Sequence, residues 1–119
     1  MLWSSLMAQA EFVHEGDAID YTPGADVAAG VVVVQSDLVG ITKRDITANE
    51  LGALAVAGVF DVAKEDGVGV TFAVGDKVYW DDGNDFAVAT DGAGANKLLG
   101  KAVAAAADAD TSVRVRLSQ

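Results

Sequence analysis

Cysteine is absent from this 119-residue chain, which excludes disulfides and thiolate metal sites. Histidine and proline occur once each, at His14 and Pro23. Basic residues are scarce: 8 Lys and Arg stand against 18 Asp and Glu, for a net charge of -10. None precedes Lys43, whereas Glu11, Glu15, Asp17, Asp20, Asp26 and Asp37 do. Affinity for nucleic-acid phosphates comes largely from Lys and Arg, so nucleic acid is disfavoured as a partner. The same repulsion disfavours anionic membranes. No apolar run approaches the ~20 residues that span a bilayer. Residues 1–6 are too short for a signal peptide and lack its basic start.

Hydrophobic residues make up 51% of the chain, so a folded core is expected rather than disorder. One domain is the default at this length, burying roughly two-thirds of its unfolded surface. Much of the apolar content is Ala and Val, so the core should be thin, and area shared with a partner subunit would add to it. Met7-Ala8 resembles a second translation start. Residues 1–10 are therefore expected to form a loosely held N-terminal extension, and 11–119 a single β domain.

The stretch 74–81, Val-Gly-Asp-Lys-Val-Tyr-Trp-Asp, organises the rest. Gly75 and Asp76 read as a turn. Residues 77–81 read as a strand, with Val78 and Trp80 on one face and Lys77, Tyr79 and Asp81 on the other. Asp82-Gly83-Asn84-Asp85 supplies turn chemistry, and residues 86–90 return as the second arm of a hairpin. Core packing is expected for Trp80 and Phe86. Tyr79, on the opposite face, is a candidate subunit contact, since Tyr is common at interfaces.

Earlier in the chain, residues 11–13 and 18–21 are short extended candidates, the second ended by Thr22-Pro23-Gly24. Four successive valines, Val31 to Val34, cannot share one face, which predicts a strand covered on both sides. Residues 39–43 form another strand. Thr47 and Glu50 fit a capping box, but Gly52 denies a helix room to grow; a turn with Asn49 in the left-handed region is expected instead. Residues 51–57 and 59–63 read as strands around Gly58, and 64–67 as a loop. Residues 98–107 combine an alanine run with Gly100; a hairpin with the alternating strand 112–118 is preferred over a helix. No repeat of fixed period is found. The turn spacing predicts an all-β fold, a small antiparallel barrel or sandwich of short hairpins.

Candidate chemistry is thin. Residues 95–102 nearly match a phosphate-binding loop, but the glycine is displaced to Gly94 and Ala102 replaces the magnesium-binding hydroxyl. A strand entry is the better reading. Asp81, Asp82, Asn84 and Asp85 lack the spacing and the bidentate glutamate of a calcium loop, so they read as turn residues. His14 has no nucleophile elbow near it. No catalytic, cofactor or metal residues are assigned.

The order of segments carries a resemblance. Gly-Val-Phe-Asp-Val-Ala-Lys (58–64), the 74–81 stretch, Leu-Leu-Gly-Lys-Ala (98–102) and Thr-Ser-Val-Arg-Val-Arg-Leu (111–117) resemble the DUF2190 family of tailed-phage and prophage capsid cement, or head decoration, proteins. Phe12, the Gly16-Asp17 turn, Ile19-Asp20-Tyr21 and Leu38-Val39-Gly40-Ile41 extend the likeness. The family often has glycine where this chain has Asn49. The resemblance implies a non-enzymatic all-β subunit without cofactor, located on the exterior of the virion. It would bridge neighbouring major capsid protein subunits, and a homo-oligomer, with a trimer favoured, is implied. Phe12, Tyr21 and Tyr79 are the candidate subunit or capsid contacts. The competing reading is a small bacterial β interaction module that binds protein or glycan.

Overall fold

A computed structural model describes residues 9–118; most of the expected extension, residues 1–8, lies outside the described part. Nine strands follow in order: β1 Ala18–Tyr21, β2 Val32–Gln35, β3 Leu38–Ile41, β4 Gly52–Ala55, β5 Val59–Ala63, β6 Lys77–Asp81, β7 Phe86–Val88, β8 Lys97–Ala102 and β9 Ser112–Leu117. A single 3-10 turn, Gly92–Gly94, is the only helical piece among the described residues. The fold is all-β, as expected. β6 has the predicted bounds, and β9 alternates as predicted, with Val113, Val115 and Leu117 buried. Residues 98–107 enter a strand, not a helix. β8 pairs with β9, because its tertiary partner outweighs the alanine helix propensity.

All ladder pairs are antiparallel, in a four-stranded sheet ordered β1-β4-β3-β2 and a five-stranded sheet ordered β5-β9-β8-β6-β7. Without β7 the two orders are the same path drawn twice. In each half a strand leads to one residue of an isolated bridge and a turn, then to a pair of strands, the other residue of that bridge, and a last strand that returns to the first. The bridges are Val27 with Ile46 and Phe72 with Ala106. Backbone bonds repeat as well. Gly30 N and Thr42 N bond Thr42 O and Val31 O at 2.7 and 3.0 Å, as Gly75 N and Ala102 N bond Ala102 O and Asp76 O at 2.7 and 2.9 Å. The chain is thus an internal structural duplication. No constant period reveals it, because β7 and the 3-10 turn lengthen only the second half and few side chains are kept.

The halves share one core. Val39 and Ile41 of β3 join Val62, Phe72, Val78, Trp80, Leu99 and the inward face of β9, with Val32 and Val34 packed against the edge. The five-stranded sheet curls until its edges meet at a single parallel bridge, Lys64 with Ala87, and does not close as a barrel. Two packed sheets, the sandwich alternative, describe it better. Gly100 marks the tightest approach. A Cβ there would lie 2.0 Å from Arg116 O, so only glycine lets β8 and β9 meet beside the register shift at Val78/Tyr79. Asn49 has φ 66°, the left-handed turn expected of it.

Three expectations are corrected. Residues 11–13 form no strand, and Phe12 and Val13 are 76% and 83% exposed, since no strand partner lies beside them among the described residues. The four valines are half-covered rather than enclosed: Val31 is exposed and Val32 to Val34 are intermediate, because β2 is a sheet edge. Phe86 is not in the core. It pairs with Asp81, whereas Trp80 pairs with Ala87, so the register turns Ala87 inward beside Trp80 and Phe86 to the opposite face.

Candidate functional site

The turn at 81–85 is built by its own side chains. Asp81 accepts from Gly83 N, Asn84 N and Asn84 Nδ2 at 3.1, 3.3 and 2.8 Å. Asn84 holds the Asp81 carboxyl below the usual carboxylate range, mainly through that side-chain bond. Asp82 accepts the Trp80 indole N–H at 3.1 Å, which satisfies a buried donor and locks the ring. Asp85 takes the left-handed conformation, φ 60°. Gly75, also left-handed, and Asp76, whose carboxylate accepts from Ala73 N at 2.8 Å, form the turn before β6. The acidic residues here shape the backbone. Among the described residues no three His, Asp or Glu side chains gather as a metal cluster.

Lys64 is the residue that sequence reasoning missed. The polar run 64–67 reads as a loop, yet Lys64 is 1% exposed. Its ammonium donates to Glu65 O, Asp108 O and Asp110 O at 3.0, 3.3 and 3.0 Å, tying the 64–67 loop to the turn before β9. The alternation of β5 contained the signal. Phe60 and Val62 face the core, and the next residue of that parity is Lys64. The near-phosphate-loop segment, residues 95–102, runs into β8 and not into a helix.

Exposed ion pairs cross between elements. Lys97 meets Asp37 at 2.8 Å, joining the β2–β3 turn to β8 and so one half to the other. Arg114 grips Asp61 with two bonds, 2.9 and 3.1 Å, across β9 and β5. These bonds lower the carboxyl pKa of Asp37 and Asp61 and raise that of the Arg114 guanidinium. His14 is exposed, with Nδ1 against Glu15 O.

A mainly apolar groove of about 360 Å³ lies where the halves meet, lined by Val31, Val32, Ile41, Phe60 and Trp80 together with Asp61 and Asp85. A second, about 550 Å³, holds Lys43, Arg44, Glu50 and Leu51, the last 70% exposed. Of the predicted contacts, Phe12 is freely exposed, while Tyr21 and Tyr79 are half-buried on β1 and β6. They lie on three separate elements, Phe12 on the N-terminal segment and each tyrosine in a different sheet. No helix among the described residues is long and apolar enough to cross a membrane.

A family model described as phage cement protein matches residues 13–117, which takes in both sheets. No curated protein and no solved structure matches the chain.

Proposed function

The chain belongs to the phage cement protein family, and on that premise we propose that it is a head decoration subunit that binds the outer capsid surface and stabilises the assembled shell. The family match over both sheets carries this reading. The proposed partner is the major capsid protein, and the proposed unit is a homo-oligomer, with a trimer at local threefold positions favoured. The subunit performs no catalytic step. Before assembly it resides in the host cytoplasm. Phe12, Tyr21 and Tyr79 are proposed contacts to a neighbour or to the shell, and the N-terminal segment 7–21 serves as the arm.

Physical features support it. A net charge of -10 suits the solvent side of a shell better than the side facing packed DNA. Exposed apolar side chains such as Phe12, Val13, Leu51 and Val68 offer contact area. Binding only the assembled lattice stabilises that state by mass action. Co-sedimentation of the purified protein with empty heads, followed by heating of the decorated heads, tests the reading. Saturable binding and a higher shell disruption temperature are expected. Absence from the pelleted heads at saturating concentration would refute it.

A further inference from the structure

Three of the eight cations stand abreast on one face. The register sets Lys77 opposite Lys101, Lys101 opposite Arg116, and Arg116 opposite Val59. Their neighbours Val78, Ala102 and Val115 are buried, so alternation turns this row outward. Adjacent strands lie about 4.8 Å apart, and like charges directly opposite destabilise a sheet. Lys97 and Arg114 have carboxylate partners, but these three have none among the described residues. An acidic chain therefore concentrates positive charge where it works against the fold. Beside the row on the same face lie Val59, 55% exposed, and the half-buried pair Tyr79 and Leu98.

The complementary surface is on the same chain. Residues 11–17 are exposed throughout and belong to no strand. They carry Glu11, Glu15 and Asp17, none of them in an ion pair, together with Phe12 and Val13. Glu15 and Asp17 flank Gly16 at a bend, so their Cα atoms are at most roughly 7 Å apart, within the ~9.6 Å between the outer strands of the row.

We infer that the Lys77–Lys101–Arg116 row receives the acidic segment 11–17 of a second copy of this chain. Glu15 and Asp17 offset two of the row's three charges, and Phe12 and Val13 cover Val59, Tyr79 and Leu98. Donor and receiving surfaces differ, so the contact is head-to-tail, and a suitable rotation closes it into a ring. The inference rests on the homo-oligomer part of the proposal above but needs no capsid.

Sedimentation velocity on the full chain tests it with two charge-reversed variants, Lys101→Glu/Arg116→Glu and Glu15→Lys/Asp17→Lys. The wild type is expected to associate, with affinity falling about tenfold or more between about 50 and 500 mM salt as the exposed charges are screened. Each variant alone stays monomeric, and their equimolar mixture associates again. A wild type that is monomeric throughout would overturn the inference, as would variants that self-associate normally. So would a mixture that stays apart while both partners keep native near-ultraviolet circular dichroism. If a variant misfolds, binding of a synthetic peptide of residues 9–20 to Lys101→Gln/Arg116→Gln replaces it; unchanged affinity refutes the inference. Saturable wild-type binding of an oligonucleotide at this row, lost on reversal, would assign the surface to phosphate instead. Monomers that decorate heads normally would sink this inference and spare the capsid reading. Salt-sensitive oligomers that ignore heads would do the reverse.

Discussion

Replacing Lys64 by methionine should destabilise the fold while keeping its shape. The side chain is 1% exposed and its ammonium satisfies three backbone carbonyls, so methionine fills the volume and supplies no donor. Asp108 O keeps a second donor, Gly67 N at 2.8 Å. Glu65 O and Asp110 O lose the donor that Lys64 provides. A buried polar group left unpaired costs about 1–3 kcal/mol, and two of them about 2–6. Both belong to surface loops where water can partly replace the lysine, and removing a buried ammonium also removes its desolvation cost. We therefore expect about 2–4 kcal/mol, against a total stability of roughly 5–15 for a domain of this kind. With an unfolding entropy near 2.1 cal/mol/K per residue, each kcal/mol shifts Tm by about 4 °C, so the loss is about 8–16 °C. Urea titration should show a lower midpoint with an unchanged slope. A variant as stable as wild type, or more so, would refute the reasoning, because it would mean that the carbonyl cage contributes nothing net.

Gly100→Ala should force β8 from β9, since the new Cβ meets a carbonyl oxygen at 2.0 Å; we expect a loss of roughly 3 kcal/mol or more, read by thermal unfolding, and a near-neutral result would contradict the close approach. Acid should weaken the protein through Asp37, Asp61 and Asp81. Their folded pKa values are lowered, so their contribution is complete above the ordinary carboxylate range of ~3.9 and is lost as pH falls through the lowered values. Urea midpoints at stepwise pH should fall below about pH 4, less steeply in Asp61→Asn; midpoints that rise on acidification would contradict the assignment.

Much of the fold was legible because the local signals agreed with it. Val113, Val115 and Leu117 alternate with Arg114 and Arg116, and a strand with one buried face is the only element that uses such a pattern. Asn49 before Glu50 asked for a left-handed turn and has one. The order of segments across 58–117 resembled a capsid cement family, and the match over 13–117 bears out the cement assignment.

Cross-strand pairing is a different kind of information. Whether Phe86 or Ala87 turns inward depends on the length of the 82–85 turn and its left-handed Asp85, and one residue of register reverses every side chain of β7. Lys64 is buried because its own loop and the distant turn before β9 close over it.

Composition alone settled that this is an acidic, cysteine-free chain rich in small apolar residues, and alternation alone settled that it folds as strands. Only the tertiary structure decided that the strands follow one path twice, and that Lys77, Lys101 and Arg116 stand side by side. Local sequence governs which way a side chain points along its own strand. Which residues stand beside it is decided by the registers of separate ladders, whose partners are far apart in the chain.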